Sequence, residues 1–303
     1  MDVTMIPFEA GEARLSWDGL CAALEAGHKM PRAEIGDTFL YRGEDTMLSR
    51  SAWIDGMGIA VKTANIFPGN PGRGEPLIHG AVNLYDDKTG LLQAIVDFHL
   101  VTKWKTAGDS LLAAKKLARP DAGRVLIVGA GTVGRSLAQA YGAGFPGAEF
   151  TVWNRTRARA EEMAAEFPGM QVADDLETAV SAADIVTSAT MVTEPVLHGD
   201  WFRPGQHIDL IGAYRPDMRE TDDTGIRRAR VFVDSYDTTV EHIGEIRDPI
   251  ASGAITREDL IADYYQMERF TRRSDDEITL FKNGGGAHLD LMTSRYILET
   301  FHA

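Results

Sequence analysis

One cysteine in 303 residues leaves no internal disulfide. That fits a reducing compartment, and a cytoplasmic location is the expectation. Cys21 sits among Leu20, Ala22, Ala23 and Leu24, the setting of a buried structural thiol rather than a nucleophile. No apolar run approaches the ~20 residues of a membrane span. The N-terminus carries Asp2, Glu9 and Glu12 and lacks the basic-then-apolar order of a secretory leader, so no membrane partner is expected. Basic charge is also short: 31 Lys and Arg stand against 45 Asp and Glu, a net charge of −14. General affinity for nucleic acid is thereby excluded, although a few local cations can still hold a small anion. No Cys/His cluster has metal-ligand spacing, and no metal is expected. Internal repeats and low-complexity tracts are missing too. What is present is 44% apolar and 25% charged residues, the balance of a globular protein, in a chain long enough for two domains.

The most informative stretch is Val125-Leu126-Ile127-Val128 followed by Gly129-Ala130-Gly131-Thr132-Val133-Gly134. Four apolar residues read as a buried strand, and Ser136 to Tyr141 begin a helix. A Gly-x-Gly-x-x-Gly turn between a strand and a helix is the context of a dinucleotide site. Gly129 allows the tight turn, Gly131 lets a pyrophosphate approach, and Gly134 lets the helix pack closely. The helix N-terminus offers free N–H groups to the phosphates.

Before this motif, Ser16 to Ala26 reads as a helix with Ser16 as N-cap. Thr38 to Tyr41, Thr46 to Trp53, Gly58 to Ala64, Gly80 to Tyr85 and Leu91 to Asp97 read as strands of a mainly antiparallel sheet. Thr102 to Leu117 reads as a helix, and the break at Arg119 to Gly123 marks a domain boundary. From Arg124 onward strands alternate with helices: strands at Phe150–Asn154, Gln171–Ala173, Asp184–Ala189, His207–Ile211 and Val231–Asp234, with helices at Arg157–Phe167 and Asp175–Ala182. That alternation predicts a doubly wound parallel sheet of Rossmann type, an α/β fold beside a smaller α+β domain. Gly284-Gly285-Gly286 fits either a close backbone approach or a hinge, and His288 to Phe301 reads as a last helix. Asp209 and Asp217 are read as capping or solvated residues.

The second strand ends in Asn154-Arg155-Thr156, where an acidic residue commonly holds the ribose hydroxyls of NAD. Hydrogen-bonding groups and a cation suit an added ribose phosphate instead. NADP(H) is the preferred cofactor on this reading, with NAD(H) left open. Ser188, Ala189 and Thr190 close the fourth strand, where ligands gather in open parallel sheets.

Together, several stretches resemble the ornithine cyclodeaminase/mu-crystallin family. They are Gly58 to Ala64, Lys105-Thr106-Ala107, Val128 to Gly131, Trp153 to Thr156, Thr193 to Leu197, and Gly212-Ala213-Tyr214-Arg215-Pro216-Asp217-Met218-Arg219-Glu220. Their order and spacing carry the resemblance. It implies a homodimer and a Rossmann cofactor domain, here 119–287. It also implies a substrate-binding and dimerisation domain in which the last helix joins the N-terminal region, here 1–118 plus 288–303. By the same resemblance Lys62 meets a substrate carboxylate, Arg32 assists, and Lys105 stands where an arginine is usual. Arg42 and Arg50 compete with Arg32 for its role. The family's cyclodeaminases carry an aspartate after the Gly-Ala pair, and this chain has Tyr214. The run that follows resembles the ketimine-reductase branch. His288 stands beside the expected nicotinamide position, as a proton relay or as a plain helix-start residue.

The expected activity is NAD(P)H-dependent reduction of an α-imino acid resembling Δ1-pyrroline-2-carboxylate. Convergent cations orient a carboxylate, and a buried Lys62 with a lowered pKa is suited to act as acid. Tyr214 is a candidate hydrogen-bond donor. The alternatives are an ornithine cyclodeaminase with bound NAD and a non-enzymatic NADPH-binding protein.

Overall fold

The structure is a computed structural model that describes residues 3–303. Its first half runs β1 (Thr4–Ile6), α1 (Phe8–Glu12), α2 (Trp17–Gly27), β2 (Glu34–Arg42), β3 (Asp45–Ile54), β4 (Gly58–Ile66), β5 (Ile78–Tyr85), β6 (Leu92–Asp97) and α3 (Phe98–Leu117). The middle runs β7 (Arg124–Val128), α4 (Thr132–Gly144), β8 (Glu149–Trp153), α5 (Arg157–Glu166), β9 (Gln171–Val172), α6 (Leu176–Ala182), β10 (Ile185–Ser188) and β11 (His207–Leu210). Then follow α7 (Asp223–Arg228), β12 (Arg230–Val233), α8 (Tyr236–Thr239), α9 (Gly244–Ala251), β13 (Leu260–Ala262), β14 (Thr279–Lys282) and α10 (Ala287–His302). Among the described residues no helix is long and apolar enough to cross a membrane.

Two compact units divide the chain: Met1–Lys105 with Gly286–Ala303, and Thr106–Gly285. The dividing point falls inside α3, not at the Arg119 to Gly123 break. That helix is one uninterrupted element of 20 residues. It starts earlier than its apolar spacing predicts, because the Asp97 carboxylate accepts the Leu100 N–H at 2.8 Å.

The first unit is a six-stranded sheet in the order β1-β6-β5-β4-β3-β2. All pairs are antiparallel except β1 with β6. Strand alternation puts Gly58, Ala60, Lys62 and Ala64 of β4 on the buried face. Their small neighbours leave room for α10, which packs on β3, β4 and β5 and against α2. Ser16 caps α2 by accepting the Gly19 N–H at 3.1 Å. The Tyr296 hydroxyl of α10 accepts the Ser16 N–H at 3.1 Å and donates to the Ser16 carbonyl at 3.2 Å, tying the two helices together. Cys21 is buried in α2.

The second unit is an eight-stranded sheet in the order β13-β12-β14-β11-β10-β7-β8-β9. Every pair is parallel. Its middle strands are buried apart from Arg124 at the start of β7, as helices on both faces require. From β7 the chain moves outward through β8 and β9, then returns to the other side of β7 as β10. The strand order therefore reverses between β7 and β10, and ligands of open parallel sheets bind at the carboxyl ends flanking such a point. The three glycines do two jobs. A Cβ on Gly284 would lie 2.6 Å from the Thr239 side chain, so the backbone approaches closely there. Gly285 has φ +67°, a conformation that favours glycine.

Asp209 is neither a cap nor solvated. It is buried in β11 and accepts hydrogen bonds from Ser110 Oγ at 3.0 Å, Tyr141 OH at 3.0 Å and Thr187 Oγ1 at 2.6 Å. Burial pushes its carboxyl up to about 6 despite those donors. Asp217 is exposed and pairs with Arg215 at 2.8 Å.

Candidate active site

In the second unit a cavity of about 640 Å³ opens at the strand reversal. Its lining includes Gly129, Gly131, Asn154, Arg155, Thr156, Ala189 and Thr190. The glycines of the turn meet different surroundings. Gly129 has φ +111°, and a Cβ there would sit 2.8 Å from the Ala189 carbonyl oxygen. A Cβ on Gly131, the N-cap of α4, would meet open space. On Gly134 it would lie 2.0 Å from the Gly129 carbonyl oxygen, so helix and turn touch. Thr132 and Val133 form the first turn of α4, while Ala130, Gly134 and Ser188 are buried.

Asn154 braces the turn from β8. Its Oδ1 accepts the Ala130 N–H at 3.1 Å and its Nδ2 donates to the Thr156 carbonyl at 2.9 Å. Arg159, which sequence reasoning missed, also lines the cavity. Its signal was the alternation Arg155, Arg157, Arg159 on the way into α5. Arg157 is neutralised by Glu161 and Asp174, whereas Arg155 and Arg159 face the cavity.

The first unit holds a buried ionic cluster. Lys62 Nζ donates to Asp290 Oδ1 at 2.9 Å, and Lys105 Nζ lies 4.0 Å from the same oxygen. Arg50 stands directly across from Lys62 in the β3–β4 register and pairs with Asp37 of β2 at 2.8 Å. The Lys62 ammonium also lies 4.8 Å above the Phe98 ring. Burial, aided by Lys105 and Arg50 and opposed by Asp290, lowers the Lys62 ammonium to about 8. Burial alone would raise the Asp290 carboxyl, but Lys62, Lys105 and Arg50 hold it below its ordinary value.

Two imidazoles adjoin the cluster. The rings of His28 and His288 meet edge to face at 5.3 Å. His28 Nδ1 lies 2.7 Å from the Leu24 carbonyl, which can only accept, so Nδ1 carries the proton. Burial lowers His28 to about 4. His288 falls well below 6.5, first through burial and then through His28, Lys105, Arg32 and Arg50. Both rings are neutral at pH 7.

Of the residues predicted to meet a carboxylate, Lys62 and Lys105 come together on Asp290. Arg32 lies in the exposed loop after α2 and acts on both imidazoles through its charge. Arg42 instead pairs with Asp45 at 2.8 Å. Tyr214 belongs to the second unit, is 57% exposed, and lies beside the Arg215 guanidinium. Asp290 was missed. Lys62 and Lys105 thus bring two ammonium groups to one buried place, the kind of donor set that holds a carboxylate.

Comparison with known proteins places these features. The family model described as "Ornithine cyclodeaminase/mu-crystallin family" matches residues 47–303. A Delta(1)-pyrroline-2-carboxylate reductase from Paracoccus denitrificans is 52% identical over 292 residues, 94% of this chain and 92% of the relative. The structure of the Thermococcus litoralis Delta(1)-pyrroline-2-carboxylate reductase in complex with NADH and L-proline superposes with a TM-score of 0.88 at 26% identity, covering 98% of this chain and 97% of that one. An archaeal alanine dehydrogenase dimer with bound NAD gives a TM-score of 0.89 at 26% identity, over 99% and 96% of the two chains. On the family match and the 52% identity, this chain belongs to the ornithine cyclodeaminase/mu-crystallin family.

Proposed function

We propose that this protein reduces a cyclic α-imino acid, Δ1-pyrroline-2-carboxylate or a near analogue, to the amino acid, using NADPH. The observation that carries the proposal is the buried Lys62–Asp290–Lys105 cluster, which brings together two ammonium groups able to hold a substrate carboxylate. The Paracoccus and Thermococcus relatives named for pyrroline carboxylate support the same substrate class.

A nicotinamide cofactor held at the glycine turn would supply the hydride for the C=N carbon. The chain's own residues do the rest. Lys62 and Lys105, assisted by Arg32, hold the carboxylate and so fix which atom of the ring is presented. Lys62, lowered to about 8, keeps its proton at neutral pH yet releases it readily, as protonation of an imine nitrogen requires. Asp290 stays anionic and keeps the ammonium in place while a proton is shared. His288 is neutral, so its part is to relay a proton rather than to add charge.

The glycine turn fits a dinucleotide: Gly131 leaves open space for a phosphate, and the N–H groups of Thr132 and Val133 begin α4 beside it. Arg155 and Arg159, with no acidic side chain at the end of β8, favour the ribose phosphate of NADP(H) over NAD(H). The position after Gly212-Ala213 offers an exposed tyrosine and no carboxylate, which argues against cyclodeamination. A homodimer is the assembly we infer, and the lone buried thiol of Cys21 agrees with a reducing compartment such as the cytoplasm.

The deciding assay follows NADPH oxidation with Δ1-pyrroline-2-carboxylate beside ammonia release from ornithine. Cofactor oxidation in the first and no ammonia in the second is the expected result. Ammonia release without net cofactor loss would overturn the reading.

A further inference from the structure

Strand ends that form the wall of a cleft need an anchor. The Ala189–Thr190 turn after β10 is squeezed between two glycines: a Cβ on Gly129 would lie 2.8 Å from the Ala189 carbonyl oxygen, and one on Gly212 would lie 2.0 Å from that of Thr190. One side chain ties this region together. Glu220 is fully buried. Its Oε1 accepts the Ser188 hydroxyl at 2.6 Å and both the N–H and the hydroxyl of Thr190 at 2.8 Å. Its Oε2 accepts the N–H groups of Gly212 at 2.6 Å and Ala213 at 3.2 Å. The carboxylate thus joins the carboxyl ends of β10 and β11.

Its backbone works on the other end of the same wall. The Glu220 carbonyl accepts the N–H groups of Val196 at 3.1 Å and Leu197 at 2.9 Å. Thr190 and Val196 both line the cavity. Glu220 is itself held by Glu245, which accepts the Glu220 N–H at 2.7 Å and the Thr221 N–H at 3.0 Å. A buried carboxylate with this many donors is a fixed point, because each donor would be left unpaired if it moved.

We propose that Glu220 is the positioning residue of the dinucleotide cleft: it touches no ligand, but fixes both ends of the wall between Thr190 and Val196 and thereby sets cofactor affinity. The inference rests on the reading of this cleft as the NAD(P)H site. Glutamine is the sharpest probe. It keeps the shape but has only one acceptor oxygen. Turned toward Gly212 and Ala213, that oxygen still satisfies both of their N–H groups. The amide nitrogen then faces Ser188 and Thr190, whose hydroxyls can reorient while the Thr190 N–H cannot. The damage is concentrated at the cleft wall.

The test measures NADPH dissociation by fluorescence, steady-state kinetics and thermal unfolding on the full chain. Glu220→Gln is expected to weaken NADPH binding about tenfold. The KM for NADPH should rise in step, while kcat at saturating NADPH and the KM for the imine stay near wild type. Asp222→Asn is the structural comparator, since Asp222 accepts the N–H groups of Gly225 and Gly199 away from the cleft lining. It should lower Tm without changing NADPH affinity. Should Glu220→Gln fail to fold, Ser188→Ala removes one donor to Oε1 and is expected to weaken NADPH about threefold. Wild-type NADPH affinity in a folded Glu220→Gln or Ser188→Ala protein, or a fall in kcat alone, would overturn the proposal. If wild type binds neither NADPH nor NADH, the cofactor reading itself fails and takes this inference with it.

Discussion

A lysine on the buried face of a sheet has lost its water and needs an anion close by. Lys62 has one, Asp290, and shares it with Lys105. Its ammonium is lowered to about 8, so above that pH the group loses both its charge and its proton. For imine reduction kcat/KM should therefore fall as pH rises past about 8 in a pH profile. Lys62→Arg should remove that limb at reduced activity, because the guanidinium keeps its charge but surrenders no proton. Asp290→Asn gives the sign test. Asp290 raises the Lys62 pKa, so its loss moves the alkaline limb to lower pH. An unmoved or upward-shifted limb would remove Lys62 from the chemistry. Lys62 was legible in the sequence through the family resemblance, with Ile59, Val61 and Ala64 pointing to burial; of these, Ala64 shares its buried face. Asp290 was not legible. Helical spacing singled out Leu289, Met292 and Tyr296, but Ala287 through Ser294 are buried all round, and a helix buried on every side has no polar face to be out of place on.

At the scale of elements, β7, the glycine turn and α4 were readable because strand, turn and helix each have a local cause. The strands that escaped notice are short and depend on neighbours. β14 has four residues and ends in Lys282, yet it lies inside the sheet between β11 and β12. The Lys282 ammonium reaches the Leu210 carbonyl at 2.9 Å, a partner no local pattern announces. Likewise Asp209 looked like a surface residue until Ser110, Tyr141 and Thr187, far apart in sequence, closed around it. The end of β8 and the first turn of α5 make a pair that carries a prediction. Each presents one arginine to the cavity, and a charged hydrogen bond contributes about 1.5–3 kcal/mol. Replacing both, Arg155→Ala with Arg159→Ala, should raise the KM for NADPH by about a hundredfold or more and leave that for NADH unchanged. Equal effects on the two cofactors would show that neither arginine reads the ribose phosphate.

On the scale of the whole molecule, the outer strand of the first unit is conspicuous. β2 is exposed along its full length at the edge of the six-stranded sheet. Phe39, Leu40 and Tyr41 are 48%, 59% and 72% exposed, and the Phe39 and Tyr41 rings stack at 6.1 Å on one face. A long apolar edge is an aggregation hazard unless something covers it. The homodimer proposed above would cover it with a second copy of the chain. Wild type should then sediment as a dimer, and its Tm should rise with protein concentration, since association stabilises the folded chain by mass action. Leu40→Glu puts a charge into the covered surface while touching neither Lys62 nor the glycine turn. It should yield a monomer whose Tm no longer depends on concentration. A wild-type monomer at micromolar concentration, or a Leu40→Glu protein that remains dimeric, would show that β2 is not the covered edge.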